Sequence, residues 1–202
     1  MPGGILGQRQ TLTEQTAILG RRVVAAINGD FFYLTPDAPG APIGILVRDG
    51  ELVSSGAGAA IGIDAGGRPV VGNPGWSGRL EVLDADGRVT AQRAFCGVNK
   101  PRAEDCLVLY TPTWGPTTRT NEWGAEVMIV PVDPGVLPLK PRSSFEAQVR
   151  LGADRVPGGN LAIPWGSLVH RPPRLRPAHD QPLGDQLASD SLSPIMSPRT
   201  SR

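Results

Sequence analysis

Residues 43–54 read IGILVRDGELVS, two apolar stretches on either side of the pair Asp49-Gly50. Asp-Gly is a favoured two-residue turn of β-hairpins, because both positions of that turn need a positive φ. The stretch therefore predicts two short antiparallel strands joined by a tight turn.

The same pattern of strand, turn and strand recurs further along the chain. Residues 59–72 read AAIGID, AGG, RPVVG, and residues 80–95 read LEVLD, ADG, RVTAQRAF. Residues 107–111 (LVLYT) and 125–132 (AEVMIVPV) indicate two more strands. With 26 Gly and 21 Pro among 202 residues, the composition favours turns over long helices. The predicted fold class is α+β, made mostly of short antiparallel strands and hairpins with few helices.

Two elements are predicted ahead of these hairpins. Residues 10–22 indicate a short helix, which Thr11 or Thr13 would cap and Gly20 would end. Residues 23–27 (VVAAI) form a continuous apolar run, which is typical of a strand buried on both faces.

Charge and hydropathy exclude several classes of partner. The 20 Lys and Arg residues nearly balance the 19 Asp and Glu residues, which gives no electrostatic basis for binding nucleic acid or an anionic membrane surface. No apolar run has the length that a membrane span requires. Residues 1–7 (MPGGILG) lack the basic and apolar regions of a signal peptide, so the chain as written is expected to stay in the cytoplasm.

Three familiar kinds of site are not predicted. Gly56–Gly62 has the glycines of a phosphate loop, but the AGG turn follows too closely for the helix that a nucleotide site needs. His170 and His179 lie in or beside a proline-rich segment, so a packed Ser-His-Asp triad is not expected. Two thiols and two distant histidines match no metal-ligand spacing. The sequence therefore predicts no cofactor and no metal.

The two cysteines, Cys96 and Cys106, bracket the polar loop GVNKPRAED. They fit two buried, unpaired small residues. They also fit a disulfide that closes a hairpin-like loop, which would require an oxidising compartment. The residues alone leave both alternatives open.

The segment INGDFF, residues 27–32, is the strongest candidate for a functional site. Asn28 and Asp30 follow the predicted buried strand, and bulky aromatic residues come next, which suits a binding or catalytic position. The alternative is a capped turn, in which Asn and Asp bond to their own backbone.

Four blocks, taken in order, resemble the phosphodiester glycosidase family, which includes bacterial exopolysaccharide-related proteins. They are AAINGDFF, GAPIGILVRDGELVSS, AAIGIDAGGRPVVG and LYTPTWGPTTRTNEWGAEVMIV, and they cover roughly residues 20–168. The resemblance implies a hydrolase that cleaves the bond between the anomeric carbon of a sugar, such as N-acetylglucosamine, and a phosphodiester. It also implies a glycan or sugar-phosphodiester partner and an extracytoplasmic location.

The resemblance further implies roles for single residues. Asp30 and Glu126 would be the catalytic carboxylates, since such a reaction needs an acid or a base. The substrate would be bound by Asn28, Arg48, Tyr110 and Thr117. Glu126 and Arg48 equally fit charges on a solvated strand.

The chain also departs from the family's pattern. The family's second half carries Pro-Arg-Thr-Ala and Leu-Asp-Gly-Gly-Gly-Ser segments, and Pro198-Arg199-Thr200 lies too close to Ile163 to be the first of them. Residues 1–168 are therefore expected to be the N-terminal part of the domain, and residues 169–202 a disordered tail rich in Pro, Arg and Ser. The expectation is an incomplete domain, so a truncated, non-catalytic fragment or glycan-binding module is the alternative function.

Overall fold

The structure is a computed structural model, and it describes residues 10–20, 23–121, 125–149, 156–157, 160–164, 168–171 and 191–197. Short strands far outnumber helices in these ranges. This confirms the predicted α+β class, in which short antiparallel strand pairs dominate.

One helix and thirteen strands are defined in the described ranges. The helix α1 is Leu12–Leu19, and a 3-10 turn lies at Pro134–Val136. The strands are β1 (Leu46–Arg48), β2 (Glu51–Ser54), β3 (Ala60–Ile63), β4 (Pro69–Gly72), β5 (Ser77–Leu83), β6 (Val89–Ala94), β7 (Gly97–Val98), β8 (Val108–Tyr110), β9 (Ala125–Pro131), β10 (Ala147–Val149), β11 (Val156–Pro157), β12 (Leu168–Arg171) and β13 (Ser191–Ser197).

Nine of these strands form one sheet in the order β6-β5-β13-β10-β9-β12-β8-β7, with β11 paired to β9. All neighbours are antiparallel except β7 and β8, which are parallel. The pairs β1-β2 and β3-β4 are separate two-stranded hairpins.

The three predicted hairpins are confirmed. Asp49 (φ 53°) and Gly50 (φ 79°) both have the positive φ that the turn between β1 and β2 requires. The other two turns also contain a left-handed glycine, Gly67 (φ 78°) and Gly87 (φ 77°). In both, an aspartate before the turn accepts hydrogen bonds from backbone N–H groups of the turn, which holds the reversal in place.

The start of the helix is also as predicted. Thr11 caps α1 with its side-chain oxygen, which accepts a hydrogen bond from the Glu14 N–H, while the Glu14 carboxylate accepts one from the Thr11 N–H at 2.7 Å. This reciprocal pair satisfies two donors that a helix start leaves open. Gly20 follows the last helical residue with φ 68°.

The buried strand predicted at 23–27 is wrong. These residues are irregular, and all but Val23 are exposed, with Val24 at 99% and Ile27 at 87% of their full accessibility. A buried strand needs a neighbour for its backbone and a packed layer on each face. The described residues supply neither of these here.

The disordered tail predicted for 169–202 needs a correction in two places. Its first residues, 169–171, belong to β12, which pairs with β8 and β9. Residues 191–197 form β13, which pairs with β5 along its whole length. Backbone hydrogen bonds to a neighbouring strand do not depend on an apolar composition, which is why composition missed them. The rest of the predicted tail lies outside the described residues.

Two apolar clusters lie on opposite faces of the sheet. Side chains alternate in direction along a strand, so Leu109 on β8 joins one cluster and Tyr110 joins the other. The larger cluster also contains Leu52, Leu80, Phe95, Val127, Ile129 and Phe145. The smaller contains Ala38, Ala41, Val108, Trp114 and Ile163. None of the described helices is long and apolar enough to cross a membrane.

Cys96 and Cys106 form a disulfide, with Cα atoms 5.6 Å apart. This decides between the two alternatives that the sequence left open. The bridge closes the loop that leads from β6 through β7 to β8. Next to it, the Cys96 N–H donates to the Leu107 carbonyl at 2.8 Å.

We expect removal of this bridge, in the variant Cys96→Ser/Cys106→Ser, to lower the free energy of unfolding by about 3 kcal/mol, because a loop of this length gains that much entropy in the unfolded chain. Urea unfolding of the oxidised protein against the double variant measures the difference. Reduction with dithiothreitol should lower the stability of the wild type and leave the variant unchanged. Equal stability of the two proteins would contradict a structural role for the bridge.

Candidate functional site

The carboxylate of Asp30 fastens the INGDFF segment to the start of the first hairpin. Its Oδ1 accepts a hydrogen bond from the Phe31 N–H at 2.7 Å, and its Oδ2 accepts one from the Gly44 N–H at 2.5 Å. The bond to Phe31 belongs to the predicted capped turn. The bond to Gly44 joins segments 14 residues apart, so Asp30 does more than cap its own turn.

Lys100 approaches the same place from the loop after β7. Its ammonium group donates hydrogen bonds to the carbonyl oxygens of Pro42, Ile43 and Gly44 at 2.6, 2.8 and 3.3 Å. It also lies 5.9 Å from the centre of the Tyr33 ring. The segment 42–44 is therefore bound twice: Asp30 accepts from its Gly44 N–H, and Lys100 donates to its carbonyl oxygens.

Burial lowers the pKa of Lys100 from 10.5 to about 8, and the negative charge of Asp30 partly opposes this by raising it. Removing an ammonium group from water disfavours its charged form, whereas a nearby carboxylate favours it. Asp30 and Lys100 thus form an interacting pair of opposite charges.

The lowered pKa predicts a rise in stability with pH. Between about pH 8 and about pH 10 the unfolded chain binds more protons at Lys100 than the folded chain does, so the free energy of unfolding increases with pH there. Because Lys100 is only partly buried, solvent screening limits the expected gain to about 1 kcal/mol. Urea unfolding of the wild type and of Lys100→Met across this range isolates the contribution. A difference between them that stays flat or falls would contradict the prediction.

Two glycines allow this close packing. A Cβ added to Gly44 would lie 2.7 Å from Asp30 Oδ2, and one added to Gly56 would lie 2.2 Å from the backbone carbon of Gly44. A side chain at either position would push the base of the hairpin away from Asp30.

Beside the pair lies an open cavity of about 470 Å³, the larger cavity, on whose wall Lys100 lies. Tyr33 and Trp76 contribute aromatic surface, while Gly56 and the disulfide line other parts of it. Asp30 is exposed to solvent and is not among the lining residues, but it bonds to Gly44, whose carbonyl oxygen accepts from Lys100. The cavity thus has one positive charge, that of Lys100, and two aromatic rings in its lining.

Asn99, which the sequence analysis did not identify, anchors the backbone next to Lys100. It is fully buried in a left-handed conformation with φ 50°. Its amide donates to the Val53 carbonyl at 2.7 Å and to the Thr111 hydroxyl at 2.8 Å, and its Oδ1 accepts from the Thr111 N–H at 2.9 Å. These bonds link Asn99 to β2 and to the end of β8. They fix the position of the residue that directly precedes Lys100. The adjacent polar pair Asn99-Lys100 within the GVNKPRAED loop was the available signal.

Glu126 is fully buried and is not the solvated strand charge that the sequence allowed. Its carboxylate accepts hydrogen bonds from the Thr118 hydroxyl at 3.0 Å, from the Thr120 hydroxyl, and from the Leu161 N–H at 2.8 Å. It projects from β9 on the face that carries Tyr110, since Val127 and Ile129 occupy the other face. These contacts join the loop before β9 to the segment around Leu161.

A smaller cavity of about 190 Å³ lies next to that loop. Arg102 and Arg119 line it together with Tyr110, Thr118 and Asn121. Pro101 lines both cavities, so they adjoin at this residue.

The remaining predicted site residues are dispersed. Asn28 is exposed within the INGDFF segment, and Thr117 is partly buried, with its backbone bridged to Ala162. Tyr110 is buried beside the smaller cavity and donates to the Lys100 carbonyl at 3.0 Å. Arg48 is exposed at the tip of the first hairpin. It lies on the order of 10 Å along the strand from Gly44, so the structure does not bring it to Asp30.

One solved structure, that of a hypothetical protein from Synechocystis, is similar to this chain with a TM-score of 0.51. The two sequences are 18% identical, and the match covers 85% of this chain and 28% of the Synechocystis chain. At this identity the likeness concerns the fold alone. No protein-family profile and no curated protein matches the chain.

Proposed function

We propose that this chain binds a sugar that carries a phosphodiester at its anomeric carbon and hydrolyses the bond between them. The observation that carries the proposal is that Asp30 and Lys100 both bond to Gly44, and that Lys100 lines the larger cavity. The ordered resemblance of four sequence blocks to the phosphodiester glycosidase family supports it.

The size and lining of the larger cavity suit such a ligand. Its volume of about 470 Å³ lies within the range of roughly 300–1,000 Å³ that is usual for small-molecule sites. The rings of Tyr33 and Trp76 offer apolar surface against which the C–H face of a sugar can pack. The positive charge of Lys100 favours a ligand that carries a phosphate.

The chemistry would need one base and a stabilised leaving group. A water molecule attacks the anomeric carbon, and Asp30 accepts the proton that the water loses. The bond from the anomeric carbon to the phosphate oxygen breaks, and its electron pair leaves with the phosphate as a monoester. Lys100 stabilises the charge that develops on the phosphate, while its contacts to Pro42 and Gly44 keep the segment around Asp30 in place.

A second function, glycan binding without hydrolysis, is favoured by the contacts of Glu126. Glycosidases of the usual kind use two carboxylates that flank the scissile bond. Glu126, the second carboxylate predicted, is buried with its oxygens bound to Thr118, Thr120 and Leu161.

One experiment separates these functions. The purified chain is incubated with a methyl phosphodiester of N-acetylglucosamine 1-phosphate, release of methyl phosphate is followed by phosphorus NMR, and binding is measured by calorimetry. Hydrolysis supports the enzyme, and binding without hydrolysis supports the glycan-binding module. If the chain neither binds nor hydrolyses the compound, both proposals are wrong.

A further inference from the structure

The smaller cavity has charges and contacts that the proposed function does not use. Its lining contains two guanidinium groups, Arg102 and Arg119, and one carboxylate, Asp37. Neither arginine forms an ion pair within the part of the chain that the structure describes. The lining therefore has an excess of one positive charge.

The guanidinium group of Arg102 has an unused, buried donor. Its Nη2 donates to Asn121 Oδ1 at 2.8 Å, which orients the group, but its Nε is buried with no hydrogen-bond partner among the described residues. A buried N–H that lacks an acceptor costs free energy, which an acceptor bound in the cavity would recover. An oxyanion is the acceptor that a guanidinium group binds best.

Four other polar groups in the lining donate their hydrogens to protein acceptors. The Thr118 and Thr120 hydroxyls donate to the Glu126 carboxylate. Tyr110 donates to the Lys100 carbonyl, and the Trp114 indole N–H donates to the Thr118 carbonyl at 3.0 Å. Arg102 and Arg119 are therefore the charged donors available to a ligand.

The loop that carries Arg119 has an unusual backbone conformation. Arg119 has φ 52°, a left-handed conformation that is uncommon for residues other than Gly, Asn and Asp. The residues on either side, Thr118 and Thr120, are both fastened to buried Glu126, which keeps the loop in this conformation. Glu126 thus acts as a positioning residue for this loop.

The volume limits what can enter. About 190 Å³ is below the usual range for a whole small-molecule site and corresponds to roughly six water molecules. One charged group fits this space, and the rest of the ligand would extend outside. The larger cavity adjoins at Pro101, between Lys100 and Arg102.

We infer that the smaller cavity is a binding pocket for an oxyanion group carried by a ligand, with Arg102 and Arg119 as its donors. The carboxylate of an acidic sugar and a phosphate ester share this chemistry. Binding in this pocket does not require hydrolysis at Asp30, because the proposed hydrolysis concerns the larger cavity.

The test measures binding rather than turnover. Glucuronate, inorganic phosphate and uncharged glucose are each titrated into the isotopically labelled full chain, and the Arg Nε–H signals are followed by NMR. We expect saturable shifts of the Arg102 signal with glucuronate, phosphate or both, and none with glucose. The anion that binds more tightly identifies the source of the oxyanion.

Variants assign the binding to the two arginines. Arg102→Gln and Arg119→Gln should each weaken binding about 10-fold or more, as expected for loss of a charged hydrogen bond. Arg119→Lys, which retains the charge, should retain most of the affinity. The matched control Arg93→Gln changes an exposed arginine on β6 and should bind like the wild type. Asp30→Asn should also bind like the wild type, whether or not hydrolysis occurs.

Three results would overturn the inference: no saturable shift with either anion, equal shifts with glucose, or unchanged affinity in Arg119→Gln. Arg119 is exposed, so its substitution should not unfold the chain, and the variant remains decisive if Arg102→Gln proves unstable.

Discussion

Replacing Asp30 with asparagine is expected to lower the turnover of a sugar 1-phosphodiester by about 100-fold or more, the loss that follows removal of a general base. Asparagine has nearly the same shape and still offers one oxygen to the Gly44 N–H, so the hairpin contact survives. The amide cannot accept the proton from water. Kinetics with a chromogenic diester of N-acetylglucosamine 1-phosphate would measure the change in kcat.

The matched control is Asp105→Asn. Asp105 is exposed and has φ 53°, a conformation that asparagine tolerates, so this variant should keep full activity. Asp30→Asn should also lower the pKa of Lys100 further, because the carboxylate raises it in the wild type. Unchanged kcat in Asp30→Asn would restrict Asp30 to its structural contacts with Phe31 and Gly44.

Replacing Glu126 with alanine is expected to lower the free energy of unfolding by about 3 kcal/mol or more. The substitution leaves the buried Thr118 hydroxyl and two partly buried donors, the Thr120 hydroxyl and the Leu161 N–H, without their acceptor. Each buried donor that loses its acceptor costs about 1–3 kcal/mol. Urea unfolding, with circular dichroism as the signal, would measure the loss.

Two further variants show whether the carboxylate of Glu126 is responsible for this loss of stability. Glu146→Ala changes an exposed glutamate and should alter stability by less than about 0.5 kcal/mol. Glu126→Gln keeps the size of the side chain but replaces one acceptor oxygen with an amide donor, so we expect an intermediate loss. If Glu126→Ala is as stable as the wild type, the contacts seen here are not structural, and Glu126 returns as a candidate catalytic group.

The β-hairpins could be predicted because their signals are local. The turn at Asp49-Gly50 follows from the backbone preferences of two adjacent residues, and the capping box from Thr11 and Glu14, three residues apart. The strand expected at 23–27 failed for the opposite reason. An apolar run shows what a strand would bury, but not whether a neighbouring strand is present to cover it.

The candidate site was predicted in part. Asp30 was identified from its place in the INGDFF segment, but its partners were not. Gly44 is 14 residues away along the chain, and Lys100 reaches the Gly44 carbonyl across 56 residues. No periodicity in the sequence connects positions so far apart.

The sequence by itself determined the turns, the hairpins, the cap of the helix and the balanced charge, because each depends on neighbouring residues or on composition. Only the tertiary structure decided that Cys96 and Cys106 are bridged, that Glu126 is buried against two threonines, and that Asp30 and Lys100 both bond to Gly44. Burial, long-range pairing and pKa shifts depend on which distant segments the sheet brings together. Two carboxylates that look alike in the sequence, Asp30 and Glu126, therefore acquire different surroundings, one exposed to solvent and the other fully buried.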